Sequence, residues 1–549
     1  MTMTREPALF AVLDELTERG QLRRLSGAFA RFIGSVGGST PHLTVACALL
    51  SELEGRGHSC LLLADLAAAP AVLMGWTAEQ WQPLRDAVGS WPQDAPAWRA
   101  VLAASDQVWP VGDLDFQQPL VLDGERLYLR RYWRDETQVA QAVRSRALAV
   151  QAPDVAEVRR WLDVLFDHAP REGGADWQKI ACAVAMRGQL AIITGGPGTG
   201  KTYTVARLLA LLFATEGRHK AGMRIAMAAP TGKAAARLKQ SIDQALDVLA
   251  AKVGPALPLH ELAARMGAAR TLHSLLGARP DTRAFQHHAG NPLEVDVLIV
   301  DEASMIHLEM MASLLAALPS HARLILLGDK DQLASVEAGA VLGDLCHRAE
   351  TGGYDDATLD YVTAATGQTV AATFRGHGGP IAQQTVMLRQ SRRFGGPIGA
   401  LALAVNAGDS TKAQEVLRGT TDGTVVWIEP AQQSDVVQLA LAGRPGVGGG
   451  YQAYLKLIRA GAPDGAGHDG WVASVLKAFE AFRILCAVRE GEWGVAGLNE
   501  VIEQRLETAG LIRRRGEWYV GRPVMVTRND YGTGVFNGDI GLTLMDPSR

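Results

Sequence analysis

An apolar run that leads into a glycine-rich loop is the feature that most constrains this sequence. Residues 190–194 read Leu-Ala-Ile-Ile-Thr. The loop that follows consists of Gly195, Gly196, Pro197, Gly198, Thr199, Gly200, Lys201 and Thr202. It fits the phosphate-binding pattern G-x-x-x-x-G-K-[ST] without a mismatch. Glycines let backbone N–H groups close around phosphates, and the N-terminus of a following helix adds partial positive charge. The sequence therefore predicts a strand, a phosphate-binding loop and a helix, with ATP as the ligand.

The chemistry of such a loop assigns roles to residues at two places in the chain. Lys201 is expected to reach the β- and γ-phosphates, and the Thr202 hydroxyl is expected to bind Mg²⁺. A second apolar run, residues 297–300, ends in Asp301 and Glu302. Asp301 would hold Mg²⁺ directly or through water, and Glu302 would orient and deprotonate the attacking water. A solvated carboxylate is the alternative for Glu302, but the upstream loop favours catalysis.

A third segment that carries chemistry reads Gly-Asp-Lys-Asp-Gln-Leu at residues 328–333 and follows the apolar run 323–327. Gln332 would lie at the carboxyl end of a strand beside the nucleotide, where it could sense the γ-phosphate. An ordinary loop glutamine is the alternative interpretation.

Short apolar runs alternate with helical patterns through the middle of the chain. The runs at 190–194, 224–229, 295–300 and 323–327 are bounded by Gly, Pro and Asp, which is typical of buried parallel strands. Their alternation with helices predicts an α/β fold with a doubly wound parallel sheet. The residues before about 170 predict a mainly helical domain, with residues 58–63 more strand-like. Residues 351–380, rich in Gly, Thr, Ala and Asp, are interpreted as an insertion or mobile loop.

Composition sets outer limits on these interpretations. A chain of 549 residues is too long for one hydrophobic core, and a net charge of −4 leaves nucleic-acid binding undecided. No run approaches 18 apolar residues and the start lacks a secretory pattern, so we expect no membrane partner and a cytoplasmic protein. The five cysteines form no CxxC pair, which leaves no zinc or iron–sulfur ligand pattern.

The order of these segments resembles that of the superfamily 1 helicases. The P-loop, Val-Asp-Glu-Ala-Ser at 300–304 and Gly-Asp-Lys-Asp-Gln-Leu look like their motifs I, II and III. Gln178 stands where that family places a glutamine that reads adenine. Residues 229–235 resemble motif Ia and residues 271–277 the next DNA-contact segment. Residues 388–394 resemble motif IV, whose arginine finger aligns with Arg393.

A narrower resemblance covers most of the chain. Residues 43–66, 485–503 and 521–541 are similar to the RecD family, the alpha subunits of exodeoxyribonuclease V. This resemblance implies a 5′-to-3′ DNA helicase that uses ATP and Mg²⁺, binds single-stranded DNA and duplex ends, and forms a heterotrimer with RecB and RecC. It divides the chain into a mainly helical partner-docking domain (1–170), a RecA-like motor domain with the P-loop (171–385), an incomplete second RecA-like domain (386–520), and the start of an SH3-like β insertion (521–549). Apolar residues 425–428 and 481–488 are assigned to the second of these motor domains.

The same resemblance implies a set of DNA contacts, namely Pro230, Thr231, Lys233, Thr271, His273 and Asn537. Other interpretations stay open for three of them. Lys233 suits a solvated lysine at a helix start, His273 a core or capping histidine, and Asn537 a turn residue.

Two departures from the family pattern qualify the resemblance. Residues 391–394 read Ser-Arg-Arg-Phe where the family commonly shows Ser-Tyr-Arg-Phe. The sequence also ends at Arg549, before a segment like Thr-Val-His-Lys-Ser-Gln-Gly and before motif VI with its second arginine. We therefore expect a truncated or incompletely represented protein, with weak or absent ATPase activity in this chain alone.

Three functional alternatives accompany the helicase-subunit hypothesis. The first is a stand-alone RecD-like helicase, although a helix–hairpin–helix extension is not visible. The second is a P-loop ATPase of another class, such as a transporter, which would need a signature that is also not visible. The third is a subunit with a mainly structural role.

Overall fold

The computed structural model describes most of the chain. The described residues are 6–38, 40–150, 153–166, 174–217, 222–279, 281–332, 337–391, 395–444, 449–462, 467–528, 530, 533 and 535–545. They fall into two compact units, Met1–Phe394 and Gly395–Arg549. No described helix is both long and apolar enough to cross a bilayer.

The first unit opens with a mainly helical region, as the sequence predicts. Its helices are α1 (Glu6–Glu18), α2 (Arg24–Val36), α3 (Pro41–Glu54), α4 (Leu63–Ala68), α5 (Pro70–Met74), α6 (Ala78–Val88), α7 (Ala95–Ala103), α8 (Arg130–Leu148) and α9 (Val155–Leu165). Its strands are β1 (Cys60–Leu62), β2 (Val108–Pro110), β3 (Leu120–Asp123) and β4 (Arg126–Leu129), in the spatial order β1-β4-β3-β2. Strand β1 confirms the strand-like interpretation of residues 58–63. The buried side chains of Trp81, Trp91 and Trp98 pack edge to face in its core.

A parallel sheet forms the centre of the first unit. Its strands are β5 (Leu190–Gly195), β6 (Ile225–Ala229), β7 (Arg270–Thr271), β8 (Val297–Val300), β9 (Arg323–Gly328) and β10 (Thr385–Leu388). The spatial order is β10-β5-β9-β8-β6-β7, and neighbouring strands run parallel throughout. The helices around it are α10 (Trp177–Met186), α11 (Lys201–Leu212), α12 (Gly232–Val253), α13 (Leu259–Arg265), α14 (Leu272–Leu276), α15 (Leu308–Ala317), α16 (Val341–Leu345) and α17 (Asp356–Thr366). The predicted strands and the α/β class are confirmed.

Both faces of this sheet are buried, which explains why its strands are apolar without alternation. Along β5, Ile192 packs into one core cluster and Ile193 into another. Along β8, Leu298 packs into the same cluster as Ile192, and Ile299 packs into the same cluster as Ile193. Because successive side chains of a strand point to opposite faces, each strand supplies both layers.

The predicted boundary between residues 385 and 386 is wrong. It falls inside β10, whose Thr385 pairs with Ile192 and whose Leu388 pairs with Gly195. Val386, Met387 and Leu388 are apolar, and all four residues of the strand are buried apart from the half-buried Met387, so they complete the first sheet. The second unit begins at Gly395 instead.

The second unit differs from the α/β domain that the sequence predicts. Its helices are α18 (Gly396–Asn406), α19 (Ser410–Gly419), α20 (Gln433–Ala442), α21 (Tyr451–Ala460), α22 (His468–Glu480) and α23 (Val495–Thr508). Strands β11 (Pro523–Met525) and β12 (Ile540–Leu542) pair antiparallel. Residues 425–428 and 481–488 form no strand, although both are described. Trp427 (42%) and Leu485 (93%) stay exposed, whereas Phe482, Ile484 and Cys486 are half-buried against the core of the second unit.

Candidate active site

The glycine-rich loop joins β5 to α11, as predicted. Gly198 (φ 77°) and Gly200 (φ 86°) adopt left-handed backbone conformations that side chains with a Cβ disfavour. A Cβ at Gly200 would also collide with the side-chain amide nitrogen of Gln178. Backbone geometry and a close neighbour thus both require glycine there.

Lys201 begins α11 and turns back over the loop. Its ammonium Nζ donates to the carbonyl oxygen of Gly195 at 2.7 Å and to that of Gly196 at 3.4 Å. Thr202 follows it on the first turn, half-buried. Both residues line a cavity of about 740 Å³.

The two carboxylates of Asp301 and Glu302 border the same cavity at the end of β8. Asp301 accepts a hydrogen bond at Oδ1 from the Glu302 backbone nitrogen at 2.9 Å. Glu302 takes a left-handed conformation with φ of 51°, which is uncommon for a residue with a Cβ. Burial raises the pKa of Asp301, while Lys201 and Arg237 oppose that shift. Burial and then the charge of Asp301 raise the pKa of Glu302.

Gln332 reaches this cavity from the loop after β9. That loop is held to β5, because the Lys330 backbone nitrogen donates to Thr194 Oγ1 at 3.2 Å. Asp329, 3% exposed, accepts from the backbone nitrogen of Asp331 at 3.1 Å. The cavity thus brings together the predicted residues from three separate strand ends, those of β5, β8 and β9.

Gln178 lies on the other side of the loop from that cavity. Asp176 caps α10 by accepting from the backbone nitrogens of Gln178 (3.0 Å) and Lys179 (3.2 Å). The buried Gln178 side chain donates through Nε2 to the carbonyl oxygen of Thr199 at 2.9 Å. Its adenine-reading role stays a prediction.

The predicted arginine finger, Arg393, lies outside the described residues. The described residue before this stretch, Ser391, donates through Oγ to the carbonyl oxygen of Pro197 at 3.0 Å. Ser391 therefore lies directly beside the phosphate-binding loop.

The predicted DNA contacts of the first unit gather at one edge of the sheet. Pro230, Thr231 and Lys233 follow β6, and Thr271 and His273 follow or end β7. These strands are parallel neighbours, with Ala229 opposite Thr271, so their carboxyl ends lie side by side. Asn537 lies in the second unit as an exposed turn residue, which fits its alternative interpretation.

Several of these residues also have structural roles. Thr231 caps α12 by accepting from the Ala234 backbone nitrogen at 3.2 Å, and Thr271 caps α14 by accepting from the Ser274 nitrogen at 3.1 Å. Lys233 is exposed, as a solvated helix-start lysine would be. His273 is also exposed and its ring contacts Phe285, so a core histidine is excluded.

Sequence reasoning missed Arg237. This residue of α12 lines the cavity opposite the carboxylates and lowers the pKa of both Asp301 and Glu302. Helical periodicity could have found it, since Ala234, Arg237 and Ser241 share one face of α12 at spacings of three and four and all line the cavity.

Comparison with known proteins gives family matches over two parts of the chain. A family model described as the N-terminal domain of the RecBCD enzyme subunit RecD matches residues 18–128, and one described as an AAA domain matches residues 178–338.

Individual relatives cover more of the chain. The RecBCD enzyme subunit RecD of Mycolicibacterium smegmatis is 38% identical over 83% of this chain and 70% of that protein. The RecBCD enzyme subunit RecD of Mycobacterium tuberculosis is 35% identical over 91% of this chain and 76% of that protein. The ATP-dependent RecD2 DNA helicase of Deinococcus radiodurans is 27% identical over 76% of this chain but 44% of that protein.

Proposed function

This chain belongs to the RecD family, and from that premise we propose that it is an ATP-dependent DNA helicase subunit that moves 5′ to 3′. We place it in a cytoplasmic complex with RecB- and RecC-type subunits that processes duplex ends in double-strand break repair and recombination. The observation that carries the proposal is the shared sheet edge. The ends of β5, β8 and β9 carry the cavity residues, and the ends of β6 and β7 carry the candidate DNA contacts.

The cavity supplies the groups that phosphoryl transfer from ATP requires. Lys201 would leave the Gly195 carbonyl and bind the β- and γ-phosphates, whose negative charge attracts it more strongly. Glu302 would accept the proton of the attacking water, which its raised pKa favours. Gln332 would contact the γ-phosphate, and Arg393 would approach the developing charge from beyond Ser391.

The donor set also fits Mg²⁺. The Thr202 hydroxyl and the Asp301 carboxylate supply oxygen ligands to one cavity, and Mg²⁺ usually binds through one or two protein oxygens together with substrate phosphates and water. When bound, Mg²⁺ would neutralise charge on the β- and γ-phosphate oxygens. The role of the protein would be to hold those two oxygens beside Lys201.

The candidate DNA contacts suit a sequence-independent grip. A threonine hydroxyl, a lysine and the start of a helix bind phosphates rather than base edges. Binding should therefore be insensitive to sequence and should weaken steeply with salt. Motion along DNA would follow from closure on ATP and reopening after hydrolysis.

The decisive experiment measures ATP hydrolysis with and without single-stranded DNA, in the chain co-expressed with a RecC-type partner and a RecB-type partner whose own ATPase is inactivated. We expect strong stimulation by DNA and no turnover in a Lys201→Ala variant of unchanged circular dichroism. A complex whose ATPase ignores DNA would refute the helicase assignment.

A second experiment tests direction and partnership. Duplexes with a 5′ or a 3′ single-stranded tail are offered to a complex whose RecB-type ATPase is inactivated. We expect unwinding of the 5′-tailed duplex only. Unwinding from the 3′ tail would overturn the polarity, and failure to co-purify with the two partners would overturn the complex.

A further inference from the structure

Residues 351–380, interpreted from sequence as an insertion or mobile loop, are fixed against the helix that carries Gln178. The Tyr361 hydroxyl donates to the carbonyl oxygen of Ala183 in α10 at 3.0 Å. The Gln368 side-chain oxygen accepts from the Asp176 backbone nitrogen, directly before α10, at 2.6 Å. The segment therefore contacts both the start and the body of α10.

Arg389, just after β10, packs against two aromatic rings at this junction. Its guanidinium carbon lies 4.7 Å from the ring centre of Trp177 and 4.2 Å from that of Phe374. The two rings also meet edge to face at 4.9 Å. Arg389 Nη2 further donates to the carbonyl oxygens of Ala349 (3.1 Å) and Glu350 (2.7 Å). We call the trio of Trp177, Arg389 and Phe374 the aromatic clamp.

The clamp borders a narrow cleft on the Gln178 side of the phosphate-binding loop. The cleft is lined by Ala175, Trp177, Gln178, Thr199, Leu388, Arg389 and Gln390. Trp177 directly precedes Gln178 in the first turn of α10, so the contacts of its ring add to the Asp176 cap in holding the turn from which the Gln178 amide extends. That amide already contacts the loop through Thr199.

A second contact ties the clamp to the loop after β9. The Glu350 carboxylate lies 2.8 Å from the Lys330 ammonium, two residues before Gln332. The backbone oxygen of the same Glu350 holds Arg389. Glu350 therefore contacts both Arg389, beside Gln178, and Lys330, in the loop that carries Gln332.

We propose that Arg389 is a positioning residue for the nucleobase end of the ATP site, and that residues 351–380 supply the aromatic ring that holds it. The clamp sets the orientation of Gln178 through Trp177, and so determines how tightly the purine is bound. This inference rests on the proposed ATP binding, but it assigns a function to a segment that the helicase motifs do not use.

The test separates the base from the phosphates. In the assembled complex with the RecB-type ATPase inactivated, Arg389→Met and Phe374→Leu should each raise the KM for ATP about fivefold, because a half-buried cation–π contact is lost. The kcat at saturating ATP should stay within about twofold. Inhibition by tripolyphosphate, which has no base, should keep the wild-type inhibition constant.

Matched variants show whether loss of the contact between Arg389 and the Phe374 ring causes the rise in KM. Arg375→Met changes an exposed neighbour of Phe374 that pairs with Asp356, and it should leave the KM unchanged. Phe374→Tyr keeps the ring and should restore the wild-type KM. Arg389→Lys keeps the charge but not the planar guanidinium, and should behave like Arg389→Met.

Three results would overturn the inference: an unchanged KM in Arg389→Met, tripolyphosphate inhibition that weakens together with ATP affinity, or no rescue by Phe374→Tyr. Equilibrium titration with a fluorescent ATP analogue compares the nucleotide affinity of the variants with that of the wild type without turnover. A complex that binds the analogue through the clamp but shows no DNA-stimulated hydrolysis would refute the proposed function and leave this inference standing.

Discussion

Glu302 combines an unusual backbone with an unfavourable charge environment. Its φ of 51° and its position beside Asp301 both cost folding free energy. Strain at a residue that faces the nucleotide cavity is expected where geometry serves catalysis rather than stability.

Glu302→Gln tests both aspects of this residue. ATP turnover should fall at least about 100-fold, because an amide cannot accept the proton, while ATP binding persists. The unfolding free energy at pH 7 should rise, because a carboxylate with a raised pKa is less stable folded than unfolded. That gain should vanish at pH values below the unfolded pKa, where both states are protonated. Single-turnover kinetics and urea unfolding measure the two effects, and a less stable variant at pH 7 would contradict the electrostatic part.

Arg237 should set the acid limb of the activity profile. Its positive charge lowers the pKa of Glu302, so Arg237→Met should raise that pKa further. A general base is active when deprotonated, and the ATPase rate should then begin to fall at a higher pH than in the wild type. Lys239→Met, on the same helix but paired with Asp243, is the control. An acid limb that moves to lower pH, or moves equally in both variants, would rule out this role for Arg237.

Residue roles could be predicted from sequence where a motif fixes spacing. Lys201, Asp301, Glu302 and Gln332 reach one cavity because each follows a strand of the same parallel sheet. Arg237 belongs to no motif, and only the helical spacing of Ala234, Arg237 and Ser241 marks it. Arg389 could not be predicted, because its role depends on contacts with Trp177 and Phe374 from distant parts of the chain.

At the scale of elements, α12 begins at the candidate DNA contacts. The Thr231 hydroxyl both caps this helix and is a predicted phosphate contact. Thr231→Ala should cost about 1 kcal/mol of stability through loss of the cap.

Thr231→Asp separates the cap from the DNA contact. Aspartate caps as well as threonine, so stability should be retained, but its charge repels phosphates and affinity for single-stranded DNA should fall. Thr231→Ser should preserve both. Thermal unfolding measures the stability of each variant, and fluorescence anisotropy with a labelled oligonucleotide measures its affinity for single-stranded DNA. Undiminished binding in Thr231→Asp would exclude Thr231 from the DNA contacts.

Four strands of the first sheet, β5, β6, β8 and β9, could be predicted because burial on both faces makes them continuous apolar runs, whereas β10 is not predicted. Strand β7 has two residues and offers no such run. Residues 425–428 show the opposite case, an apolar run without a strand. A run specifies a strand only when a neighbouring strand supplies hydrogen-bond partners and covers its side chains.

At the scale of the whole molecule, Arg146 joins the helical N-terminal region to the sheet. This buried residue of α8 donates to the carbonyl oxygens of Ala322 (2.8 Å), Leu318 (2.9 Å) and Pro319 (3.0 Å). Burial lowers its pKa, and the three carbonyls provide the compensating contacts.

Arg146→Met should destabilise the first unit by about 2–4 kcal/mol, since it leaves buried carbonyls without a donor. The exposed Arg144→Met on the same helix is the matched control and should change stability by less than about 0.5 kcal/mol. Urea unfolding measures both. Equal stability of the two variants would show that α8 is held by apolar packing alone.

The length of α12 has a mechanical consequence. With 22 residues, it is a rod of about 33 Å that starts directly after Thr231, carries Lys233 in its first turn, and forms a wall of the nucleotide cavity from Ala234 onward. A helix transmits tilt without bending unless a proline or bulge interrupts it, and α12 contains neither. Because the cavity wall begins in the first turn, at Ala234, a small rotation of α12 on ATP binding would displace the candidate DNA contacts Thr231 and Lys233 directly, and the helix would couple nucleotide binding to DNA binding.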